Sequence, residues 1–502
     1  MRGRVGEWPT PVKAACAGRS VAGRARFAFP HYTLQTAMAE RGALHDMPRP
    51  RSRRGDEARE HALAWLDRRV NFERLPPPGA AELGLARMRR LLAAVGGPHR
   101  GLPVVHVAGT KGKGSTVAAL AAILEEAGHR VGRYLSPHVH AIEERIAIDG
   151  RPIAAGDLAA ALEAVIPVVE RLDAVAARRG GRGPTWFEVL TAAAFVHFAR
   201  ARVDVAVLET GLGGRLDATN VVRPLVSVIT SISLDHMAVL GPTIARIAAE
   251  KAGIIKRGRP VVSGAMHPSA RRVIAATAAR RRATLLQLGR DFTATPLPAP
   301  PGAGPLAGAG LELRTGPAAA PVRYRLAMPG GHQAENAALA VMAARRLARQ
   351  GIAVPEAAIV RGLARARLPA RIEVVGRRPL VVVDAAHNVA SMKTLVETLR
   401  PAVASHRPRV LLFAASGDKQ IEEMLALAAG MFDRVVVTRY ATNPRAASID
   451  RLVAACRQAG LPRPSVATAP PQALALARSL AGADGLVCVA GSFFLAAEIG
   501  RG

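Results

Sequence analysis

Residues 106–116 read HVAGTKGKGST. The apolar run PVVHVAG (103–109) leads in and KGSTVAALAAILEEAG (113–128) leads out. The first reads as a buried strand, the second as a helix ending at Gly128. The turn between them lies where helix N–H groups and the helix dipole receive anions at a strand end. Its spelling is unusual. A phosphate-binding loop is ordinarily Gly, four residues, then Gly-Lys-Ser/Thr. Here only Thr110 and Lys111 separate Gly109 from Gly112, and Gly114 stands between Lys113 and Ser115. The glycines let backbone approach an anion closely. Lys113 has the reach for outer phosphates, and Ser115 and Thr116 offer hydroxyls as caps or near a metal. A turn made only for tightness needs neither two lysines nor two hydroxyls. Lys111 fits either a phosphate contact or a solvent-facing position.

Strand and helix signals alternate outward from this unit. Helices are expected over about 56–70 and 80–96, then near 157–178 and 185–201. RVGRYLSP (130–137), VDVAVLE (203–209), LVSVITSIS (225–233) and RPVVSG (259–264) read as strands, and RIAIDGRPI (145–153) as a hairpin turning at Asp149-Gly150. TIARIAAEKAGII (243–255) reads as a helix. The stretch TPLPAPPGAGPLAGAG (295–310) reads as a low-complexity loop, with antiparallel strands LELRT and VRYRLAM after it. Helices follow near 332–350 and 355–365, and RARLPARIEVV (365–375) marks a junction. PLVVVDAAHN, RVLLFAAS, RVVVTR, SVATA and GLVCVAGS then repeat the alternation. The fold class is therefore α/β: an N-terminal, mainly parallel sheet domain of phosphate-loop type over 55–367, and a second, smaller Rossmann-like domain over 368–502. Residues 1–54, rich in Arg, Pro and Gly and without periodicity, are read as a disordered extension or an upstream start ahead of Met38 or Met47, in preference to an Arg-rich, acid-poor transit peptide.

The 502 residues carry a formal charge of +31, half are hydrophobic and 4% are aromatic. The excess arginine is dispersed. With so few stacking platforms it does not read as a nucleic-acid surface. No apolar run is long enough to cross a membrane. The three cysteines, Cys16, Cys456 and Cys488, are scattered and odd in number, which suits a reducing cytoplasm.

Other chemistry-bearing residues also follow strands. Ser136 follows one strand run. Glu209 ends the next, ahead of GLGGRLDATN, and a carboxylate there is a Mg²⁺-ligand candidate. His236 follows a third, beside Asp235. In a parallel sheet these ends share one edge, so Ser136, Glu209 and His236 converge. Asp217, Thr219 and Asn220 add polar groups for substrate. Lys251 lies on the next helix and Asn336 on a later one. Arg371 stands at the junction, and Asp384 and His387-Asn388 follow a strand of the last domain.

AGTKGKGST, SPH…ERI, FEVLT, LETGLGGRLDATN, LDH…LG…IAAEKAGI, HQAENAALA, ARIEVV and DAAHN, in this order from about 58 to 499, resemble the folylpolyglutamate synthase / dihydrofolate synthase family of the Mur ligase superfamily. The resemblance implies ATP on Gly109–Thr116 with Lys113 on the phosphates, and one or two Mg²⁺ ions held by Ser136, Glu209 and His236. It implies a carbamylated Lys251, nucleotide contacts from Asn336, Arg371 and Asp384, and His387 near the phosphates. Lys251 and His387 join Lys113 as expected catalytic residues. The implied reaction is ATP-dependent addition of L-glutamate to dihydropteroate, to a reduced folate, or to both, by a monomer. The chain departs from the family pattern at Lys111, where bacterial relatives usually have Asn, and at Ala385, in place of the Gly of DGAHN. It also lacks the bulky residue usual before ERI, which leaves the pterin acceptor open. The rival readings are a Mur-type ligase for a cell-wall precursor and a basic nucleic-acid-binding ATPase.

Overall fold

A computed structural model describes residues 53–75, 83–299, 303–304, 306–316 and 318–499. The expected N-terminal extension lies outside these residues except for positions 53 and 54, which already belong to a helix, Arg53–Asp67.

The first sheet contains β1 (Val104–Ala108), β2 (Val131–Tyr134), β3 (Ile146–Ile148), β4 (Arg151–Pro152), β5 (Val205–Glu209), β6 (Val226–Ile229), β7 (Val261–Ser263) and β8 (Leu285–Gln287). Their order is β4-β3-β2-β5-β1-β6-β7-β8. All pairs are parallel except the β3–β4 hairpin and its junction with β2. Every residue of β1, β5 and β6 is buried, as expected for strands covered on both faces. On one face the helix Lys113–Glu126 packs under His332–Ala348 and Glu356–Arg365. A Cβ on Gly362 would lie 2.5 Å from Ile123 Cα, so glycine is what lets those helix backbones touch. The other face is covered by helices that include Arg53–Asp67, Leu85–Ala94 and Trp186–Arg200.

The expected helix over 157–178 is two helices, Ala155–Glu163 and Ile166–Ala177. Pro167, in the first turn of the second, has no N–H to give the preceding turn. A three-stranded antiparallel sheet follows, of β9 (Thr293–Leu297), β10 (Gly310–Arg314) and β11 (Val322–Arg325). β9 takes in the start of the stretch expected to be loop. It pairs with β10 through Leu297↔Gly310 and Thr293↔Arg314, and Pro296 is tolerated because β9 is an edge strand.

The last sheet has β12 (Glu373–Arg377), β13 (Leu380–Val383), β14 (Arg409–Phe413), β15 (Arg434–Val437), β16 (Ser465–Val466) and β17 (Leu486–Ala490), in the order β12-β13-β17-β14-β15-β16. It is parallel apart from β12, and apolar clusters fill both its faces. The architecture is the α/β class with two parallel-rich sheets. Among the described residues no helix is long and apolar enough to cross a membrane, and Cys456 and Cys488 are free and buried.

Candidate active site

β2, β5, β1 and β6 are consecutive neighbours, and their carboxyl ends align: Tyr134 pairs with Leu208, Val107 with Glu209, and Ala108 with Ile229. The phosphate-type loop, Ser136, Glu209 and the segment leading to His236 therefore leave one edge of one sheet, where open α/β sheets take ligands.

The loop is closely fitted. A Cβ on Gly109 would sit 1.7 Å from Thr230 Oγ1. Gly112 is left-handed at φ 82°, and a Cβ there would lie 2.1 Å from Asn336 Oδ1. The extra glycine, Gly114, is already helical; a Cβ would be 3.1 Å from Leu368 Cδ2 and 3.5 Å from Glu209 Oε2. Gly114 thus lets the helix start pass close to both the Glu209 carboxylate and the chain entering the last sheet.

Three loop residues expected to bind nucleotide have partners within the protein. Thr110 N–H donates to the Ser231 carbonyl at 2.7 Å, and Thr110 Oγ1 donates to the Ser233 carbonyl at 3.2 Å. Lys111 N–H donates to Ser231 Oγ at 3.3 Å, and Lys111 Nζ pairs with Asp235 at 3.4 Å. Thr116 is fully buried, and its hydroxyl donates to the Asn336 carbonyl at 3.4 Å. The first-turn N–H groups of the Lys113–Glu126 helix lack acceptors within that helix, and Lys113 stands beside them.

Lys113 Nζ lies 3.7 Å from Glu209 Oε1, and Ser136 N–H donates to Glu209 Oε2 at 3.3 Å. Burial pushes the Glu209 carboxyl above its ordinary pKa, against the pull of Lys113, the Ser136 amide and Arg371. Lys251 is buried, and its Nζ donates to the Gly109 carbonyl at 2.8 Å. Desolvation, then Lys113, lowers its pKa to about 7. His236 has φ 49° and an imidazole about half exposed, 3.9 Å from Asp235 Oδ1. Desolvation, reinforced by Lys419, Lys113 and Lys251 and opposed by Asp235, lowers its pKa to about 4. No three His, Cys, Asp or Glu side chains form a ready metal cage among the described residues. The expected donor set is two oxygens, from Ser136 and Glu209, and the His236 imidazole; the structure joins the first two through the Ser136 N–H. That set suits a hard cation that completes its shell with phosphate oxygens and water, and the desolvated Glu209 carboxylate gains most from such a charge.

Asp217, Thr219 and Asn220, expected to serve substrate, are buried and hold the glycine loop together. Asp217 accepts from Leu212 N–H at 2.9 Å and Thr219 N–H at 3.0 Å. Thr219 Oγ1 donates to Asp217, so it accepts from His106 Nε2 on β1 at 2.8 Å. Asn220 donates to the carbonyls of Arg215 and Gly253 and accepts from Lys256 Nζ at 2.8 Å. A buried loop must satisfy its own polar groups, and these three side chains do so.

The junction brings in the last sheet. Ala370 and Ile372 both have φ 51°. This is a strained conformation for a β-branched residue, and it brackets Arg371. The Arg371 guanidinium lies 4.9 Å from the Phe493 ring centre, and its charge reaches Lys111, Glu209 and Asp384. Asp384 accepts from Ile372 N–H at 2.9 Å, and burial raises its pKa to about 6. His387 Nδ1 donates to the Ala385 carbonyl at 2.8 Å, which leaves Nε2 unprotonated. Burial, then Lys111, lowers its pKa to about 3. The Ala385 methyl is accommodated in the core of the sheet.

Two family descriptions match the chain: Mur ligase middle domain over 182–344, and Mur ligase, glutamate ligase domain, over 370–493. The Bacillus subtilis dihydrofolate synthase/folylpolyglutamate synthase is 40% identical over 373 residues, covering 73% of this chain and 82% of that protein. The chain belongs to the folylpolyglutamate synthase/dihydrofolate synthase family of Mur ligases. Solved members share the fold. Mycobacterium tuberculosis folylpolyglutamate synthase, complexed with ADP and AMPPCP, superposes with a TM-score of 0.77 at 33% identity, over 88% of this chain and 98% of that one. An E. coli member in complex with DHPP and ADP gives 0.72 at 30% identity, over 87% and 96%.

Two site features lay outside the sequence reading. Asp235 was visible only as the neighbour of His236. The fully buried Arg145, in the segment ERI, pairs through both terminal nitrogens with Glu73 at 2.8 and 2.6 Å and donates to His138 at 2.8 Å; no local pattern announces Glu73.

Proposed function

We propose that this chain is an ATP- and Mg²⁺-dependent ligase that adds L-glutamate to dihydropteroate, to a reduced folate, or to both, through an acyl phosphate. The observation that carries the reading is the meeting of Lys113, Glu209 and Ser136 at one sheet edge, with Arg371 within electrostatic reach. In this reading residues 55–367 bind ATP and residues 368–502 serve the glutamate-ligase step.

The acceptor carboxylate attacks the γ-phosphorus and ADP leaves. The glutamate α-amine then attacks the acyl carbon and phosphate departs, leaving an amide. Lys113 and the helix-start amides hold the phosphates and neutralise charge as it shifts toward the leaving ADP. Ser136, Glu209 and His236 are the residues that would hold Mg²⁺, which supplies further neutralisation of the phosphate oxygens when bound. Arg371, Asp384 and His387 bring the last domain to the nucleotide, so that water is excluded from the acyl phosphate. Asn336, beside Gly112, orders the loop. Lys251, with its pKa lowered to about 7, holds enough neutral amine to take up CO₂ as a carbamate, with release of one proton. A monomer acting in the cytoplasm without nucleic acid completes the reading. The scattered, odd-numbered cysteines and the scarcity of aromatic side chains support the cytoplasm and the absence of nucleic acid.

Incubation with ATP, Mg²⁺, glutamate and either dihydropteroate or a reduced folate tests this. Glutamate-dependent ADP release with at least one acceptor is expected. Release with a cell-wall precursor instead, or hydrolysis driven by nucleic acid, would replace the reading with one of its rivals.

A further inference from the structure

We infer that Arg445 is a positioning residue, the point at which the C-terminal domain is fastened to the framework around the Ser136 loop. The inference deepens the ligase reading above and rests on it. That framework is built on Arg145. Its fully buried guanidinium donates to the Glu73 carboxylate at 2.8 and 2.6 Å and, through Nε, to His138 Nδ1 at 2.8 Å. It also lies 4.8 Å from the Trp186 ring centre. One side chain thus holds residues 71–75 against the loop that follows β2. The C-terminal domain touches both. Arg445 Nη2 donates to the Glu73 carbonyl at 2.9 Å. Val139, next to His138, is buried in the apolar cluster that contains Ala370, Val381 and Tyr440. Both ends of the Arg445 bond are anchored. Arg445 N–H donates to Asn443 Oδ1 at 3.0 Å, and its carbonyl accepts from Gly417 N–H at 2.8 Å. Glu73 N–H donates to Asn71 Oδ1 at 2.9 Å. Among the described residues the Arg445 guanidinium makes no other hydrogen bond, and its Nε is buried without a partner. A charged donor held partly out of water loses more than a neutral one when its acceptor goes, so this bond resists opening. The consequence is chemical. Should the domains part, water attacks the acyl carbon in place of the glutamate amine, returning the carboxylate and phosphate with ATP consumed and no amide formed. Arg445 therefore acts on the coupling of ATP use to amide formation, without touching substrate.

Three variants test this: Arg445→Met, which fills the space without a donor, Arg445→Lys, which keeps a charged donor, and Val139→Ala, which weakens the second contact. Each is assayed well below its own melting temperature, so that loss of fold is set apart. The readouts are ADP released per glutamate incorporated, the glutamate KM, and the radius of gyration of the ADP-bound protein by small-angle X-ray scattering. Arg445→Met is expected to release at least about twofold more ADP per glutamate than wild type, because the acyl phosphate is lost to water. Its radius of gyration should rise, and its glutamate KM should change little. Val139→Ala should shift the ratio in the same direction, and Arg445→Lys should return it toward wild type. An unchanged ratio in both Arg445→Met and Val139→Ala would overturn the inference. So would a raised glutamate KM at unchanged ratio, which would make Arg445 a ligand of the amino acid. A wild type that forms no amide with any acceptor would instead sink the ligase reading. The radius of gyration then still decides the role of Arg445, and an unchanged value in Arg445→Met would count against it.

Discussion

Lys251 Nζ donates to the Gly109 carbonyl at 2.8 Å, joining the helix Ile244–Ala252 to the first residue of the phosphate loop. The amine is buried and its pKa lowered to about 7, so the lysine is not a surface charge. Lys251→Ala should lower kcat at least about 100-fold, the scale of losing one charge-stabilising group. If the working form is a carbamate, small carboxylates such as acetate should restore part of the rate to Lys251→Ala, whereas Lys251→Met, which fills the space, should stay inactive. Absence of rescue in an assay with added acetate counts against the carbamate.

Gly112 and Gly114 should separate by severity. At Gly112 both the left-handed backbone and the 2.1 Å approach to Asn336 forbid a side chain. Gly112→Ala is expected to cost at least about 1–2 kcal/mol from backbone conformation alone and to abolish measurable ADP binding. Gly114→Ala meets the Leu368 methyl at 3.1 Å, the Glu209 carboxylate at 3.5 Å and a Leu135 methyl at 4.0 Å. It should fold with nearly wild-type melting temperature and show its defect in kcat. Equal defects in the two variants, read by calorimetry and thermal melting, would contradict this geometry.

His106 gives a pH signature. Its ring is fully buried in β1, and desolvation, then Lys256, lowers its pKa to about 3 from an ordinary 6.5. The unfolded chain therefore takes up a proton below about pH 6.5 that the folded protein refuses until about pH 3. The stability contributed by the neutral ring is fully present above 6.5 and is lost on acidification, at roughly 1.4 kcal/mol per pH unit. Urea titrations between pH 7 and 4 should show His106→Gln falling less steeply than wild type, by about one proton.

Among the described residues, Glu73 is the only carboxylate hydrogen-bonded to the guanidinium of Arg145, which is 1% exposed. Glu73→Ala leaves a buried charge unpaired. Breaking such a pair costs roughly 3–5 kcal/mol, and the 36% exposure of Glu73 places this one at the low end. The Glu73 carbonyl also accepts from Arg445 of the C-terminal domain at 2.9 Å, a bond the side-chain change leaves available. Differential scanning calorimetry should therefore show a lowered but still single transition.

Local sequence determined the α/β class and the strand ends from which the candidate site is built, because both rest on short-range pattern. Apolar runs of strand length, glycines at their ends and 3.6-residue periodicity are all written within about twenty residues of Gly109. Strand ends in a parallel sheet share an edge, so Ser136, Glu209 and His236 were placed together without coordinates. The break at Pro167 and the strand Thr293–Leu297 were harder. The first turns on one missing N–H, and the second on pairing with a strand beyond a Pro- and Gly-rich stretch.

Only the tertiary structure decided which polar side chains serve ligands and which serve the fold. Thr116 bonds a carbonyl 220 residues downstream, Lys111 a carboxylate 124 residues away, and Thr219 a histidine 113 residues upstream. Asp217 is the exception, spending itself on the amides of its own turn. A hydroxyl, an amine or a carboxylate reads the same in sequence whether it meets a phosphate or a buried neighbour. The desolvation cost of leaving it unpaired is settled by whatever the fold brings within three ångströms or so, and those partners come from distant parts of the chain.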